Sequence, residues 1–333
     1  MLAAREGVSA LALERVISGD IACPTIVRYG LTVAARTNAA RSLLLQAETC
    51  RVLAHLADAG LPSLLLKGSA LAYWLYPSAH LRECVDIDLL LASQAAAEQA
   101  ARHLEALGYE RQMRALPGDL TTYELTCIRQ VAGVPVEVDV HWGIGGAPVY
   151  ASRLEVPELF AGSVLLPRLS PFARGLKPAH ALMHAVMHRA LNLHLVGDRL
   201  KWLHDVHLLA GHFSAVDWQF ILEIAGERGL ADTCLAAFEA SRDTLGTGIP
   251  TDVIEGLATA ARTEPLQAAR MSQWRYIQWR NLRALPNWCT RLRWMWQRIM
   301  PSPGYLQDMY GEQGGRAGSW WRYLRHGLGK FRG

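Results

Sequence analysis

Leu64–Ser69, which reads LLLKGS, and Asp86–Leu91, which reads DIDLLL, are the two stretches that decide the fold of this chain. Each contains a short apolar run of the kind that forms a buried strand. After the first run, Lys67-Gly68-Ser69 turns into a predicted helix that continues through Tyr76. In the second run Asp86 and Asp88 alternate with Ile87, so both carboxylates lie on one face of the predicted strand and Ile87 faces the core.

The pattern outward from these two strands alternates helix and strand. Residues 8–59 have helical apolar spacing and end in a glycine–leucine–proline stop signal at 60–62. Residues 94–107 are alanine-rich and predict a helix, whereas 123–129 and 134–142 predict two strands joined as a hairpin through 131–133. After Pro148 the spacing is mainly helical to the end of the chain.

This order predicts an α/β (α+β) fold with a small mixed sheet flanked by helices. We expect three parts: an N-terminal helical segment over 1–59, a core over 60–148, and a mainly helical C-terminal domain over 149–333. The 333 residues are 51% hydrophobic and 19% charged, which is enough for a sizeable core. No apolar run spans a membrane, the N-terminus lacks the apolar core of a signal peptide, and the six cysteines form no CxxC pair. The expectation is a cytoplasmic protein without a membrane partner.

The carboxylates on the predicted strands indicate metal chemistry. Two aspartates one residue apart repel each other, and a hard divalent cation such as magnesium between them removes that cost. Glu137 and Asp139 share a face of a later strand, and either would complete such a site. The alternatives are a solvent-facing strand edge and a polar sheet face. His141, which follows on the same strand, is also a candidate site residue, although we favour simple packing at the strand end.

The Lys67-Gly68-Ser69 turn has a second chemical interpretation. Backbone N–H groups at the start of a helix bind phosphate, and glycine lets a phosphate approach closely. The Ser69 hydroxyl could add a hydrogen bond or cap the helix, and Lys67 could balance phosphate charge. Taken alone, a plain turn with an N-cap explains the same residues.

Together these elements resemble the polymerase-β-like nucleotidyltransferase superfamily. More closely, KGSAL at 67–71, Tyr76, Arg82, DIDLL at 86–90 and DVHW at 139–142 look like the bacterial family described as uncharacterised nucleotidyltransferases. The helical stretch from His184 through LKWLHD at 200–205 is also similar to that family. The resemblance covers roughly residues 40–210.

The resemblance implies an enzyme that moves NMP from an NTP, ATP by default, to an acceptor and releases pyrophosphate. Asp86, Asp88 and Asp139 would hold two magnesium ions, which manganese could replace. Gly68 and Ser69 would bind the triphosphate. Further nucleotide contacts are expected from four residues: Lys67, Arg82, Lys201 and Asp205. Lys201 and Asp205 could otherwise form an ordinary ion pair on one helix face.

Two departures from the superfamily pattern affect the geometry. Sixteen residues separate Ser69 from Asp86, which is longer than usual, and Cys84-Val85 replaces a small residue. Three other functions remain open: a nucleotide-binding or regulatory protein with little catalysis, a kinase-like phosphotransferase, and an RNA-end nucleotidyltransferase. The acceptor is expected to be a small molecule, a peptide or a protein, with nucleic acid less favoured.

Two further features are candidates for ligand binding. His180, His184 and His188 recur on one helix face, and we interpret them as packed or hydrogen-bonded histidines, since no glutamate adjoins them and no cysteine is near. Residues 266–333 carry twelve Arg and Lys against two acids, with seven of the eleven tryptophans. We expect this basic tail to border the acceptor side of the cleft; RNA stacking and ordinary Arg–Trp packing are the alternatives.

Overall fold

The structure, a computed structural model, describes residues 2–112, 120, 122–310, 318–323 and 325. The strands in the described part of the chain are β1 Ser63–Leu65, β2 Asp86–Leu91, β3 Glu110–Arg111, β4 Glu124–Val131, β5 Val134–His141, β6 Val164–Leu165 and β7 Arg174–Gly175. The α-helices in the same residues are α1 Leu2–Glu6, α2 Ser9–Ile17, α3 Thr25–Asp58, α4 Lys67–Leu71, α5 Gln94–Ala106, α6 Pro148–Ala151, α7 Val156–Ala161, α8 Pro178–Val196, α9 Leu200–Ala210, α10 Ala215–Arg228, α11 Ala231–Leu245, α12 Thr251–Ala261, α13 Trp274–Ala284, α14 Trp288–Ile299 and α15 Pro303–Tyr310.

The mixed α/β fold class predicted from the sequence is confirmed. The strands β1, β2, β4 and β5 and the helices α3 and α5 lie where the apolar spacing predicts them. The hairpin between β4 and β5 turns at Ala132 and Gly133, which both have positive φ angles of 50° and 77°. Two successive positive φ angles are typical of the turn that joins closely paired antiparallel strands. Strands β3, β6 and β7, of two residues each, were not predicted, because so short a strand leaves no periodic pattern.

All strands belong to one mixed sheet with the order β3-β4-β5-β2-β1-β7-β6. Strand β2 is antiparallel to β1 and parallel to β5, and in the second pairing Asp88 lies opposite Asp139 and Asp86 opposite Glu137. Strand β7 pairs in parallel with β1, so the sheet extends into the chain beyond residue 148. The register brings the predicted carboxylates of two distant segments side by side at the centre of the sheet.

The two faces of the sheet pack against different helices. Ile87, Leu89 and Leu91 of β2 join the core that includes α3 and α5. Leu90 joins the other core, which includes α8 to α12. Because side chains alternate along a strand, Asp86 and Asp88 share the face of Leu90. The aspartates therefore point to the side of the sheet that the C-terminal helices cover.

The remaining helices form the helical half of the molecule. Helix α8 has seven apolar and two histidine side chains buried along its first thirteen residues, including Leu182, His184 and Met187. Helix α10 begins with a capping box, in which Ser214 and Asp217 exchange side-chain to backbone hydrogen bonds. All six cysteines are free. Among the described residues, no helix is both long and apolar enough to cross a membrane.

Candidate active site

Three carboxylates converge where β2 and β5 run side by side. Asp86, Asp88 and Asp139 offer one ligand atom each, and these three atoms all lie within 4.8 Å of one another. The parallel register produces this arrangement, since Asp88 and Asp139 are direct partners across the strand pair. Glu137, the alternative third acid, lies opposite Asp86 and is not a member of this group. The described residues contain no other cluster of three or more potential metal ligands.

The crowding of negative charge changes how these acids bind protons. Burial and the charge of Asp88 raise the pKa of Asp86 from its ordinary value to about 6. Burial and the charges of Glu124 and Asp88 raise the pKa of Asp139 to about 7. One oxygen of Asp139 also accepts a hydrogen bond from Thr126 Oγ1 at 2.6 Å, which fixes its orientation. Two partly protonated carboxyl groups beside an ionised one are the electrostatic signature of a site for a cation.

Asp88 stays ionised because two basic side chains contact one of its oxygens. Lys67 Nζ donates to Asp88 Oδ1 at 2.6 Å, and His141 Nε2 lies 3.0 Å from the same oxygen. Burial alone would raise the pKa of Asp88, but these two partners outweigh burial and hold it well below its usual range. Burial likewise opposes the charge of Lys67, yet the carboxylates of Asp88 and Glu124 raise its pKa.

His141 corrects the interpretation drawn from the sequence, which favoured simple packing at the strand end. Its ring is buried, and the Nδ1 atom lies 3.1 Å from Glu124 Oε2 while Nε2 contacts Asp88. Burial would lower the pKa of His141, but the contacts with Asp88 and Glu124 raise it. Sequence reasoning missed Glu124 altogether. Its only signal is its place at the start of β4, opposite His141 in the antiparallel register.

The turn at Gly68 is tightly packed. A Cβ atom at Gly68 would stand 2.6 Å from Cys84 Sγ and 3.0 Å from Arg82 Nη1, so only glycine fits there. Cys84, which replaces the usual small residue before Asp86, therefore packs directly against Gly68. The preceding Lys67 has a positive φ of 48°, which is rare outside glycine and concentrates at functional sites.

Ser69 ties this turn to β2. Its hydroxyl donates to the carbonyl oxygen of Asp86 and accepts from the N–H of Asp88, both at 3.2 Å. It makes no capping hydrogen bond to α4. The serine of the motif therefore holds the backbone of β2 against the Gly68 turn.

Arg82 and Asp205 pair with each other across the two halves of the molecule. Arg82 donates to both carboxylate oxygens of Asp205, at 2.8 Å from Nε and 2.7 Å from Nη2, and Tyr76 OH donates to the same carboxylate at 2.7 Å. All three side chains are buried. The alternative pairing of Asp205 with Lys201 is wrong, because the acid is engaged by Arg82.

Lys201 lies on the Asp86 side of the site. Burial and the nearby Arg82 lower its pKa, while Cys84 and Asp86 act in the opposite direction. Its stem packs close to Gly7 of the N-terminal segment. A half-buried lysine near an acid, without a direct ion pair in the described residues, is suited to meet an incoming anion.

A cleft of about 400 Å³ opens from the acids toward the helical half. Lys67, Glu124, Asp139 and His141 form its floor, and α8, α13 and α14 form its walls. The wall side chains include His184, His188, Asn192, Trp274, Gln278 and Arg298. Burial lowers the pKa of His184 to about 3, which keeps this ring neutral at the cleft. His180 instead contacts Glu158 at 3.0 Å.

The basic tail reaches this cleft only in part. Trp274 and Gln278 of α13 and Arg298 of α14 line it. Arg280 is buried, and Arg283 packs 5.7 Å from the ring of Trp279, so neither lines the cleft. The tail thus contributes one aromatic, one aliphatic, two amide and one guanidinium side chain to the cleft: Trp274, Ile277, Gln278, Asn281 and Arg298.

The acid group fits a hard divalent cation. Carboxylate oxygens are the ligands that magnesium and manganese prefer, and three of them converge here while two carry raised pKa values that a cation would lower. No sulfur or imidazole belongs to the group, which argues against zinc.

Comparisons with known proteins place the chain. No curated protein matches it. The solution structure of the antibiotic-resistance factor ANT(2'')-Ia shares 15% sequence identity, with 61% of this chain and 98% of that chain covered and a TM-score of 0.39. The family described as "Uncharacterised nucleotidyltransferase" matches residues 1–246, which is more than half of the sequence. The chain therefore belongs to this family of nucleotidyltransferases.

Proposed function

We propose that this nucleotidyltransferase is magnesium-dependent and transfers NMP from an NTP, with ATP as the default donor, to a hydroxyl or similar group of a small molecule, a peptide or a protein. The observation that carries the proposal is the convergence of Asp86, Asp88 and Asp139 within 4.8 Å beside the Gly68 turn. Asp86, Asp88 and Asp139 would together hold two cations. When bound, the metal ions would polarise the α-phosphate and neutralise the charge of the leaving pyrophosphate.

The order of the strands supports a placement of the two substrates on opposite sides of the acids. Helix α4 follows β1, which is one neighbour of β2, whereas Asp139 and Glu124 lie on β5 and β4 on the other side. The triphosphate then lies at the Gly68 turn, near Lys201. The acceptor enters the 400 Å³ cleft, where Asp139 and Glu124 form the floor.

The chain's own groups divide the work of the transfer. Asp139 orients the acceptor hydroxyl and favours its deprotonation, so that the acceptor oxygen forms a bond to the α-phosphorus. The bond between the α-phosphorus and the bridging oxygen breaks, and pyrophosphate leaves in line. Lys201 offsets charge on the leaving group, and Lys67 exchanges part of its contact with Asp88 for the phosphates.

Arg82 and Asp205 serve this site indirectly. Their side chains are buried against each other, and Arg82 lies directly behind Gly68. We assign them to holding the phosphate-binding turn against α9, in place of direct contact with the nucleotide. Glu137 remains a less favoured candidate for the third metal ligand, because it lies beside Asp86 but outside the acid group.

Labelled nucleotides test the proposal. The full chain is incubated with magnesium, fractionated cell extract and each NTP carrying label in either the α- or the γ-phosphate, and the labelled product is identified by mass spectrometry. We expect α-label in the product and stoichiometric pyrophosphate, and neither with Asp88→Asn. Transfer of γ-label with release of NDP would show kinase chemistry, and nucleotide binding without any product across a broad acceptor screen would favour a regulatory role.

A further inference from the structure

Helix α14 exposes a continuous apolar stripe to solvent. Trp288, Leu292, Trp296 and Ile299 are between 54% and 69% exposed, and Met300 follows directly after the helix at 46%. With 3.6 residues per turn, the four helical positions fall within an arc of about 80°. Trp294, on the opposite side, is buried at 5% exposure and anchors the helix. Exposed tryptophans and aliphatic side chains in one row are unusual for a surface that meets only water.

Arginines border this stripe on both sides. Arg291 and Arg293 project about 60° beyond its two edges, by the geometry of the helix. The guanidinium of Arg291 lies 5.2 Å from the Trp288 ring, at the border of the apolar row. From residue 265 to 307 the sequence contains seven arginines and no acid. Whatever covers the stripe must therefore be apolar at its centre and anionic around it.

We propose that this Trp/Arg face, comprising Trp288, Leu292, Trp296, Ile299, Met300, Arg291 and Arg293, docks on an anionic phospholipid surface. A helix that lies in the plane of a bilayer surface has this arrangement: tryptophan and leucine enter the boundary between headgroups and acyl chains, and flanking arginines meet lipid phosphates. The helix needs no membrane-spanning length. The sequence-based expectation of no membrane partner rested on the lack of a spanning segment, which an interfacial helix does not require.

Other occupants fit the face less well. A second copy of the chain, docked through the same face, would bring its arginines against an identical set, and like charges at an interface are unfavourable. Nucleic acid offers phosphates and base faces for stacking, but the centre of the stripe is Leu292 and Ile299, which cannot stack. A lipid surface satisfies the aliphatic, aromatic and cationic side chains together.

The position of the face relates it to the cleft. Arg298 lies on the same helix and lines the cavity beside Asp139. Docking through α14 would therefore hold the acceptor side of the cleft close to the lipid surface. The proposal concerns attachment only and stands whether or not the transfer reaction is the one proposed above.

Vesicle flotation tests the face with the full chain. Vesicles of phosphatidylcholine are compared with vesicles that also contain phosphatidylglycerol, at low and high salt. We expect flotation with the anionic vesicles only, weakened by salt, and a partition coefficient that falls about tenfold or more in Trp296→Glu and Leu292→Glu. Val216→Glu on α10 is the matched control, since Val216 is 78% exposed and far from α14 in sequence, and it should float like the parent chain.

Several outcomes would overturn the proposal. These are failure to float at low salt, equal binding to neutral vesicles, and equal loss in Val216→Glu and Trp296→Glu. A dimer by light scattering that Trp296→Glu dissociates would assign the face to a second copy of the chain, and single-stranded RNA binding lost in the same variant, without flotation, would assign it to nucleic acid. Circular dichroism and thermal unfolding confirm that each variant folds, which we expect because both replaced side chains point to solvent.

Discussion

Two groups of buried or half-buried charged side chains lie near the Gly68 turn, and they differ in how their charges are balanced. In the first, Arg82 and Asp205 satisfy each other in a two-pronged ion pair that Tyr76 completes. In the second, the two basic side chains in direct contact, Lys67 and His141, both contact Asp88, and Asp86 and Asp139 keep raised pKa values. A balanced buried pair holds a structure together, whereas an unbalanced group of like charges costs stability that a ligand recovers.

The largest effect is expected from breaking the balanced pair. Asp205→Asn leaves the buried guanidinium of Arg82 without its counter-charge, which typically costs about 3–5 kcal/mol of unfolding free energy. Urea unfolding measures it. The double variant Arg82→Met with Asp205→Leu should recover much of the loss, since apolar replacements can match a buried ion pair. If Asp205→Asn unfolds like the parent chain but no longer binds nucleotide, the pair belongs to the active site after all.

The unbalanced acids should behave in the opposite way. Asp86→Asn and Asp88→Asn should stay folded and lose transfer activity by about 100-fold or more, because each removes charge that, in the proposed reaction, acts on the metal and the reacting phosphate. Rates of pyrophosphate release at saturating magnesium provide the measurement. Val216→Glu serves as the control for an exposed substitution away from the site. Full activity in either asparagine variant would contradict the assignment of that aspartate to the active site.

Variants of Asp139 and Glu137 test which of these two acids is the third member of the group. Asp139→Asn should abolish turnover while some nucleotide binding is retained, because we propose that Asp139 is the acid on the acceptor side. Glu137→Gln is the matched control, two residues away on the same strand and outside the group of 4.8 Å. Nucleotide affinity from equilibrium binding and turnover from product formation separate the two effects. An inactive Glu137→Gln beside a normal Asp139→Asn would exchange the two roles.

The acids were predictable from the sequence because a strand imposes alternation. A DxD pattern inside an apolar run fixes both side chains on one face, and the later strand does the same for Asp139. The pairing of Arg82 with Asp205 was not predictable, because it joins residues 123 positions apart through tertiary packing. For the same reason the contacts of His141 with Asp88 and Glu124 were missed. Local patterns predict which face of a strand a side chain lies on and where the chain turns. They do not predict which residue, distant in sequence, contacts a buried polar side chain.

The proton balance of the acids gives the smallest predicted effect. The raised pKa values of Asp86, about 6, and Asp139, about 7, mean that the folded chain without metal prefers these groups protonated. In the unfolded chain both titrate near 3.8, so this contribution to stability is complete below about pH 4 and is lost as the pH rises through 6 and 7. Magnesium needs the ionised forms and therefore has the opposite dependence.

Magnesium should accordingly raise the melting temperature more at pH 8 than at pH 6. At pH 6 the solution is one pH unit below the Asp139 pKa of about 7, so a proton competes with the cation for this carboxylate. This competition weakens magnesium binding by about tenfold, or about 1.4 kcal/mol. Thermal shifts across a magnesium titration at both values of pH measure the difference. In Asp139→Asn the dependence should shrink, because the group that titrates highest is gone, whereas Glu137→Gln should keep it. A magnesium effect that is equal at pH 6 and pH 8 in the parent chain would mean that the cation binds away from these acids. The uncompensated charge of Asp86, Asp88 and Asp139 would then no longer identify the metal site, in contrast to the balanced pair of Arg82 and Asp205.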